Sequence, residues 1–424
     1  MLKSIYIKLT SIKFGNLFVE RSLKLFYSIL SLYLGSNFFL KSDFFVLQQI
    51  TLFQSFLLFT ISLPVNSILV RIGNVNINYF KSLIFGTVIF RFVAGSISLG
   101  LFSIYLLTAK FDYNDISIIL IGLLPILLSN IFITDILPHV YDFEGRKNWE
   151  LVFIYLLFLV IKCLMIIFFK SIVVKIVIEL IEMCVVILWS YSTYLKGFFR
   201  EIPTILYLKR VLKYAKISTG LYLNGILSVF ILRIDQFALL SFVDKNTMSS
   251  YMLVVTIASL FLTPMGLISD KLAFVMSIAK SESIGKFSDV SKKSLKRFLV
   301  LSIFLFLLFV ILFNPISQIV FNRNLKNFFT VAVILGTSII SNSIGMIFGQ
   351  INSIMNGGVF TMKRSLFGCI ILVLSVNLGF YLFGLTGVAI ASASSLFVTN
   401  VIFWFFSKKV KRIIFYKSKV NYSI

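Results

Sequence analysis

The stretch FLVLSIFLFLLFVILFNPISQIV, residues 298–320, runs for 23 positions without a single charged side chain. As an α-helix it would extend about 35 Å, at about 1.5 Å per residue. A helix of about 20 apolar residues is long enough to cross the hydrocarbon layer of a membrane, which is about 30 Å thick. The stretch therefore predicts a transmembrane helix, and similar stretches recur along the whole chain.

The composition places the chain among membrane proteins. Of its 424 residues, 59% are hydrophobic and only 13% are charged, a balance that soluble globular domains do not show. We predict an all-α polytopic membrane protein with about twelve spans, near 14–36, 44–63, 82–108, 116–134, 149–169, 172–195, 218–240, 249–271, 298–320, 328–350, 365–383 and 386–406. For the two spans within 149–195, one long helical hairpin is the alternative.

The distribution of lysine and arginine predicts the orientation. With the N-terminus inside, cytoplasmic segments hold 28 of these residues and outer segments hold seven. Because positive residues accumulate in short cytoplasmic loops, we expect both termini on the cytoplasmic side. The net charge of +24 then mainly reflects the orientation of the chain in the membrane, and these positive residues also contact anionic lipid headgroups. The charge does not indicate nucleic-acid binding.

The sequence lacks the residues that several kinds of chemistry require. The chain has one histidine, His139, and its cysteines Cys163, Cys184 and Cys369 lie far apart, so neither a zinc site nor a disulfide framework is predicted. It has no phosphate-binding loop of nucleotide hydrolases. We therefore expect no cofactor and no enzymatic activity. The first span is expected to remain in the protein, because charged residues interrupt what would be a signal peptide's apolar core.

Charged residues inside the predicted spans are the candidates for function, because a charge in the hydrocarbon layer is costly and normally faces a polar interior. Span 1 carries Arg21 and Lys24 on a polar stripe, span 3 carries Arg91 near mid-depth, and span 5 carries Lys162. We interpret these four cations as the lining of a polar cavity. For Arg91 the alternative is a buried ion pair with Glu179 or Glu182 of span 6, and Lys162 could equally line a cavity or form a pair.

Span 7 ends in FILRIDQFALL, residues 230–240, which places two charges in an apolar run. Two residues along a helix rotate a side chain by about 200°, so Arg233 and Asp235 point in nearly opposite directions and should not pair. Asp235 shares its side with Asn224 and Ser228 and should face the polar interior. Arg233 should face another helix or lipid, with its guanidinium reaching the outer interface.

The cations and the loops together indicate a transported anion. Arginine binds phosphate oxygens bidentately, so a cationic cavity suits a substrate with an anionic headgroup. The outer loops are only a few residues long and could not form a catalytic domain. We therefore expect the chain to move a substrate across the membrane without modifying it chemically.

Two segments resemble a known family. The stretch NLGFYLFGLTGVAIASASSL, residues 377–396, is similar to the last two helices of the polysaccharide branch of the multidrug/oligosaccharidyl-lipid/polysaccharide (MOP) exporter superfamily. The stretch RIDQFALLSFVDKNTMSSYMLVVTIASLFLTP, residues 233–264, resembles the junction of helices 7 and 8 there, with Asp235 and an aromatic at Tyr251. Where that family usually has a glycine, this chain has Ser250. The chain thus resembles Wzx-type O-antigen flippases over its full length.

The resemblance implies an architecture and an activity. Two six-helix lobes, 1–205 and 206–424, would enclose a central cavity and carry an undecaprenyl-pyrophosphate-linked oligosaccharide, such as an O-antigen unit of lipopolysaccharide, across the bacterial cytoplasmic (inner) membrane. Arg91, Arg21 and Lys24 would attract the pyrophosphate, while Asp235, Glu179 or Glu182 would exchange protons or sodium. Polymerase and chain-length proteins are the expected partners. The rival interpretations are a drug or small-ion exporter of the same superfamily, a lipid II flippase and a polysaccharide polymerase.

Overall fold

The computed structural model describes residues 26–27, 29–61, 77–109, 111–132, 148–194, 205–355 and 358–415. Within these ranges the secondary structure is helical and contains no strand, which confirms the all-α prediction. The helices are residues 26–27 and 29–38 (α1), Lys41–Ile61 (α2), Ile77–Thr108 (α3), Tyr113–Ile131 (α4), Asn148–Phe169 (α5), Ile172–Tyr194 (α6), Ile205–Leu239 (α7), Lys245–Glu282 (α8), Ile284–Pro315 (α9), Phe329–Ile354 (α10), residues 358–383 (α11), residues 385–400 (α12) and Lys408–Ile414 (α13).

The described helices are those of a membrane protein. Eight stretches of the described residues are long and apolar enough to cross a membrane, and one of them, Val359–Phe406, contains both α11 and α12. α6 is not among the eight, and it carries Lys175, Glu179 and Glu182. The predicted spans at 149–169 and 172–195 are two separate helices, α5 and α6, joined at Lys170, whose φ of 49° turns the chain out of the helix.

The chain divides into two compact units, Met1–Tyr222 and Leu223–Ile424. The boundary lies inside α7, whereas the predicted lobes meet at the beginning of that helix, after residue 205.

In the first unit, α2 and α4 are the central pair of the described helices. α2 packs against α3 and α4, α4 also packs against α3 and α6, and α6 packs against α5. The pair α2 and α4 approaches closely because Gly122 has no side chain: a Cβ there would lie 2.5 Å from a carbon of Ile50. This packing brings the polar face of α6 toward α4 and α5, where the candidate site lies.

In the second unit, α8, α9 and α10 pack against one another, and α10 also packs against the α11–α12 hairpin. The basic helix α13 lies on α9 and α10, with Val410 and Ile413 buried in a core that includes Phe287, Trp404 and Met276. The exposed side of α13 carries its lysines. Thus the end of the described chain is fixed to the second unit by an apolar contact, although the segment is strongly basic.

The two last predicted spans form a tight hairpin around Gly384. Gly384 has a φ of 59°, a left-handed conformation that glycine adopts without steric cost. On either side of it, Gly379 and Gly387 bring two backbones together, since a Cβ on Gly379 would lie 2.5 Å from the Gly387 carbonyl oxygen. The segment that carries the family resemblance is therefore a sharp interhelical turn, and its glycines are what allow the turn.

Candidate functional site

A cavity of about 360 Å³ lies within the first unit. Its walls come from α1, α2, α4, α5 and α6, and its polar lining includes Tyr27, Asn130, Lys162, Glu179 and Glu182. Three of the residues predicted to be functional, one from α5 and two from α6, therefore meet in one place. They come together because α5 and α6 are antiparallel neighbours joined by a short turn.

The charges that line the cavity form one connected network. The Lys162 ammonium donates to the Glu182 carboxylate and to the Tyr27 hydroxyl oxygen, and it lies 4.0 Å from Glu179 Oε1. The Tyr27 hydroxyl in turn donates to Glu179 Oε1 over 2.9 Å. Lys175, one turn before Glu179, pairs with the same oxygen at 2.7 Å. Two buried cations thus face two buried carboxylates, and every charge in the network has an opposite charge beside it.

For Lys162 the structure combines both interpretations left open by the sequence. Its side chain lines the cavity and is at the same time paired with Glu182. Breaking such a buried pair from one side leaves an uncompensated charge, which costs several kcal/mol, about 3 to 5. A ligand that binds Lys162 must therefore bring its own negative charge, or Glu182 must be neutralised.

Arg91 lies in α3, fully buried, and donates to the backbone carbonyl of Asn130 in α4. Asn130 is a wall residue of the cavity, so Arg91 lies directly behind that wall. The two carboxylates predicted as its alternative partners, Glu179 and Glu182, make their described ion pairs with lysines. Arg91, in α3, therefore places a positive charge beside the cavity, behind the wall formed by α4.

The other two predicted cations, Arg21 and Lys24, lie outside the residues that the structure describes, as does His139.

In the second unit, Asp235 is the centre of a separate polar cluster. Its Oδ2 accepts hydrogen bonds from the Tyr251 hydroxyl of α8 at 2.6 Å and from the Ser392 hydroxyl of α12 at 3.0 Å. Its Oδ1 accepts from the backbone N–H of Gln236 at 2.8 Å. Asp235 is 4% exposed and Tyr251 is fully buried. The cluster links three helices through one carboxylate whose described hydrogen-bond donors are all neutral.

The neighbouring Arg233 is half-buried and donates to the side-chain oxygen of Gln236 at 3.4 Å. Within the described ranges no ion pair joins it to Asp235, as expected from their positions on the helix. A carboxylate held by two hydroxyls and one amide can exchange a proton or a small cation, because none of these donors neutralises its charge.

The residues predicted to be functional do not include Lys175 and Tyr27 of the cavity network, or the buried Arg364. Lys175 is a buried residue of α6, and its spacing of four from Glu179 is the signal that could have found it. Arg364 lies just before the predicted span 365–383, but it is buried in α11. Tyr27 had no sequence signal beyond a position one turn after Lys24.

Comparison with known proteins shows similarity in fold. No family model matches the chain, and no curated protein matches it. Among solved structures, a multidrug resistance MATE family transporter of the MOP superfamily in an inward-facing conformation superposes with a TM-score of 0.71 at 12% identity, over 93% of this chain and 96% of that one. An outward-facing MATE family transporter superposes with a TM-score of 0.64 at 15% identity, over 96% and 95%.

A third neighbour, a MOP superfamily transporter from Pyrococcus furiosus, has a TM-score of 0.64 at 14% identity, over 96% of both chains. It is described as having a binding pocket of reversed polarity that suggests a different function. The similarity covers nearly the whole of each chain. The protein therefore has the fold of the MATE transporters of the MOP superfamily, as a multi-pass membrane protein.

Proposed function

We propose that this chain is a transporter that moves its substrate by alternating access and carries out no chemical reaction on it. Two observations support this proposal. The fold is shared with transporters seen in inward-facing and outward-facing conformations. In addition, stretches that are long and apolar enough to cross a membrane hold the buried residues Arg91, Lys162 and Asp235, and charged residues in such stretches are costly and usually functional.

We further propose that the substrate is an undecaprenyl-pyrophosphate-linked oligosaccharide, such as an O-antigen repeat unit, moved from the inner to the outer leaflet of the bacterial cytoplasmic membrane. The observation that carries this proposal is the cavity-lining Lys162, supported by Lys175 and by Arg91 behind the wall. A pyrophosphate is a dense anion that lysine and arginine bind strongly. The resemblance of residues 377–396 to polysaccharide exporters points to the same class of substrate.

The network suggests how binding is coupled to an ion. Glu182 holds the Lys162 ammonium, so the pyrophosphate and the carboxylate compete for one cation. A proton on Glu182 would remove its charge and release Lys162 to the substrate, and loss of that proton would restore the pair and displace the substrate. In the second unit, Asp235 would provide a further site of proton or sodium exchange, through the hydroxyls of Tyr251 and Ser392.

A drug or small-ion exporter is the second candidate, because the solved neighbours include multidrug resistance transporters. An apolar or cationic drug gains nothing from Lys162 and Lys175, whereas the carboxylates Glu179 and Glu182 would attract a cation. The two candidates therefore predict opposite roles for the same pairs. Replacement of Lys162 should abolish export of an anion but leave export of a cationic drug intact.

The test is the position of the lipid-linked glycan in a strain that lacks this gene. We expect the undecaprenyl-linked unit to accumulate in the cytoplasmic leaflet and to be released by the wild-type protein, but not by Arg91→Ala or Lys162→Met present in the membrane at the wild-type level. Arg297→Ala, which removes an exposed arginine of α9, is the matched control and should restore export. Normal display of unpolymerised units in the deletion strain would instead indicate a polymerase, and unchanged glycan with altered drug resistance would indicate a drug exporter.

A further inference from the structure

Arg364 is a buried cation of the second unit that the transport proposal does not use. It lies in the second turn of α11 and is only 8% exposed. Its guanidinium donates to the side-chain oxygen of Asn400 at 2.9 Å and to the Ser365 hydroxyl at 3.3 Å. Both partners are neutral, and among the described residues no carboxylate lies within ion-pair distance of Arg364. The buried charge is therefore solvated by polar groups but not neutralised.

Two N–H groups at this position have no acceptor. They are the Arg364 Nε and the indole Nε1 of Trp404, both buried and without a hydrogen-bond partner in the described part of the chain. The guanidinium carbon lies 5.0 Å from the centre of the Trp404 ring, so the two donors belong to one local group. Buried donors without acceptors cost about 1 to 3 kcal/mol each, and native proteins contain few of them. The two donors and the unneutralised charge are matched best by an acceptor that carries a negative charge.

The surrounding side chains hold this group in place. Asn400 also donates to Asn342 of α10 at 2.6 Å, and Gly345 makes room for it, because a Cβ there would lie 2.7 Å from the Asn400 Cβ. On the other side, Ser365 donates to Asn224 of α7 at 2.8 Å. Asn342 and Asn224 are partly exposed, so polar side chains continue from the buried arginine toward the surface of the unit.

We propose that Arg364 and Trp404 form an oxyanion-binding site in the second unit that takes a phosphate group, with Asn400 and Ser365 holding the guanidinium in position. Arginine and the indole are donors only, which suits an acceptor-only ligand such as a phosphate or pyrophosphate. Two sources share this chemistry: the pyrophosphate of an isoprenoid-linked substrate and the headgroup of an anionic phospholipid. The site lies in the second unit and is made of residues separate from the Lys162 network, so it does not depend on the ion coupling proposed above.

Trp404 makes the site measurable. The chain has three tryptophans, and Trp149→Phe with Trp189→Phe leaves Trp404 as the single indole, directly beside Arg364. In this full-length protein, purified in detergent, we would titrate inorganic pyrophosphate, farnesyl pyrophosphate and phosphatidylglycerol at constant ionic strength and follow the emission of Trp404. The proposal expects a saturable change in emission with at least one of them.

The variants separate binding from folding. Arg364→Gln should weaken binding by about tenfold or more, the loss expected for a hydrogen bond to a charged group, and Arg364→Lys should weaken it less. Arg297→Gln, which removes an exposed charge from α9, should leave the affinity unchanged. If Arg364→Gln does not fold, as judged by gel filtration and circular dichroism, Arg364→Lys gives the comparison.

The outcomes are distinct. A response to both pyrophosphates but not to phosphatidylglycerol would support the site and assign it to the substrate, and a response to phosphatidylglycerol would support it as a lipid-headgroup site. No saturable response to any of the three, or equal affinity in the wild type and the Arg364 variants, would overturn the proposal. A lipid-headgroup result would leave the glycan-leaflet experiment above unaffected, so the two proposals can fail separately.

Discussion

Removing the charge of Lys162 should destabilise the protein far more than removing the charge of an exposed lysine. Lys162→Met keeps most of the side-chain volume but leaves Glu182, whose side chain is 5% exposed, as a buried and unpaired carboxylate. Breaking a buried ion pair from one side costs about 3 to 5 kcal/mol. Glu182→Gln should cost less, about 1.5 to 3 kcal/mol, because Lys162 retains Glu179 at 4.0 Å.

The double variant Lys162→Met with Glu182→Gln should be more stable than Lys162→Met alone. It removes both charges together, and Glu179 keeps its pair with Lys175 and its hydrogen bond from Tyr27. The remaining cost is that of a buried amide that has lost Lys162 as its partner, about 1 to 3 kcal/mol, and no uncompensated charge is left at this position. The two single losses should therefore not add, and the coupling free energy between the two positions should be about 3 kcal/mol or more.

The chain supplies a matched control for this cycle. Lys286 and Glu282 form a pair at 2.9 Å, but their side chains are 67% and 40% exposed. Lys286→Met should cost no more than about 0.5 kcal/mol. The measurement is the free energy of unfolding in detergent micelles under increasing denaturant for all four variants. Equal costs for the two lysines, or additive losses in the double variant, would refute the assignment of a buried, coupled pair.

Three further results are expected. Gly387→Ala should reduce the yield of folded protein sharply, because its Cβ would meet the backbone carbonyl of Gly379 in the α11–α12 turn. Gly349→Ala should be tolerated, because no other atom lies within 4 Å of the position that its Cβ would take. The measurement is the yield of folded protein after gel filtration. Tyr251→Phe removes the 2.6 Å hydrogen bond to Asp235 and should cost about 1.5 to 3 kcal/mol of unfolding free energy, measured in the same denaturant series. Asp244 caps α8 by accepting from Thr247 and Asn246, and these hydrogen bonds lower its carboxyl pKa below the usual 3.8. Since the folded state lowers this pKa, the stability from the cap is full above the ordinary aspartate pKa and is lost as the pH falls through the lowered one. Asp244→Asn, which can still cap the helix, should remove that part of the acid dependence when thermal unfolding is followed against pH.

The helices could be predicted from the sequence because apolar length is a local property. Residues 298–320 and 328–350 are apolar over the length that a membrane requires, and α9 and α10 lie there. The turn between the last two spans was also predicted, because the predicted spans 365–383 and 386–406 lie on either side of Gly384. Helix ends were less accurate: α8 continues well past the predicted residue 271, since its last turns lie beyond the apolar stretch.

The pairing of charges could not be predicted in the same way. Hydropathy shows that Lys162, Glu179 and Glu182 lie within spans, but the rotation of α5 against α6 decides which of them meet, and that depends on side-chain packing along both helices. Arg364 and Lys175 each lie near the end of a predicted span, where a charge normally reaches water, so neither is a candidate from the sequence alone. Tertiary contacts bury both of them instead.

The measurement that tests the central claim most directly is transport in reconstituted liposomes. Purified protein would be reconstituted with a labelled undecaprenyl-pyrophosphate-linked oligosaccharide, and the fraction that becomes accessible on the opposite leaflet would be followed in time. We expect transfer by the wild type and loss of transfer in the folded double variant Lys162→Met with Glu182→Gln. Transfer by the wild type no faster than in protein-free liposomes, or undiminished transfer by the double variant, would contradict the account.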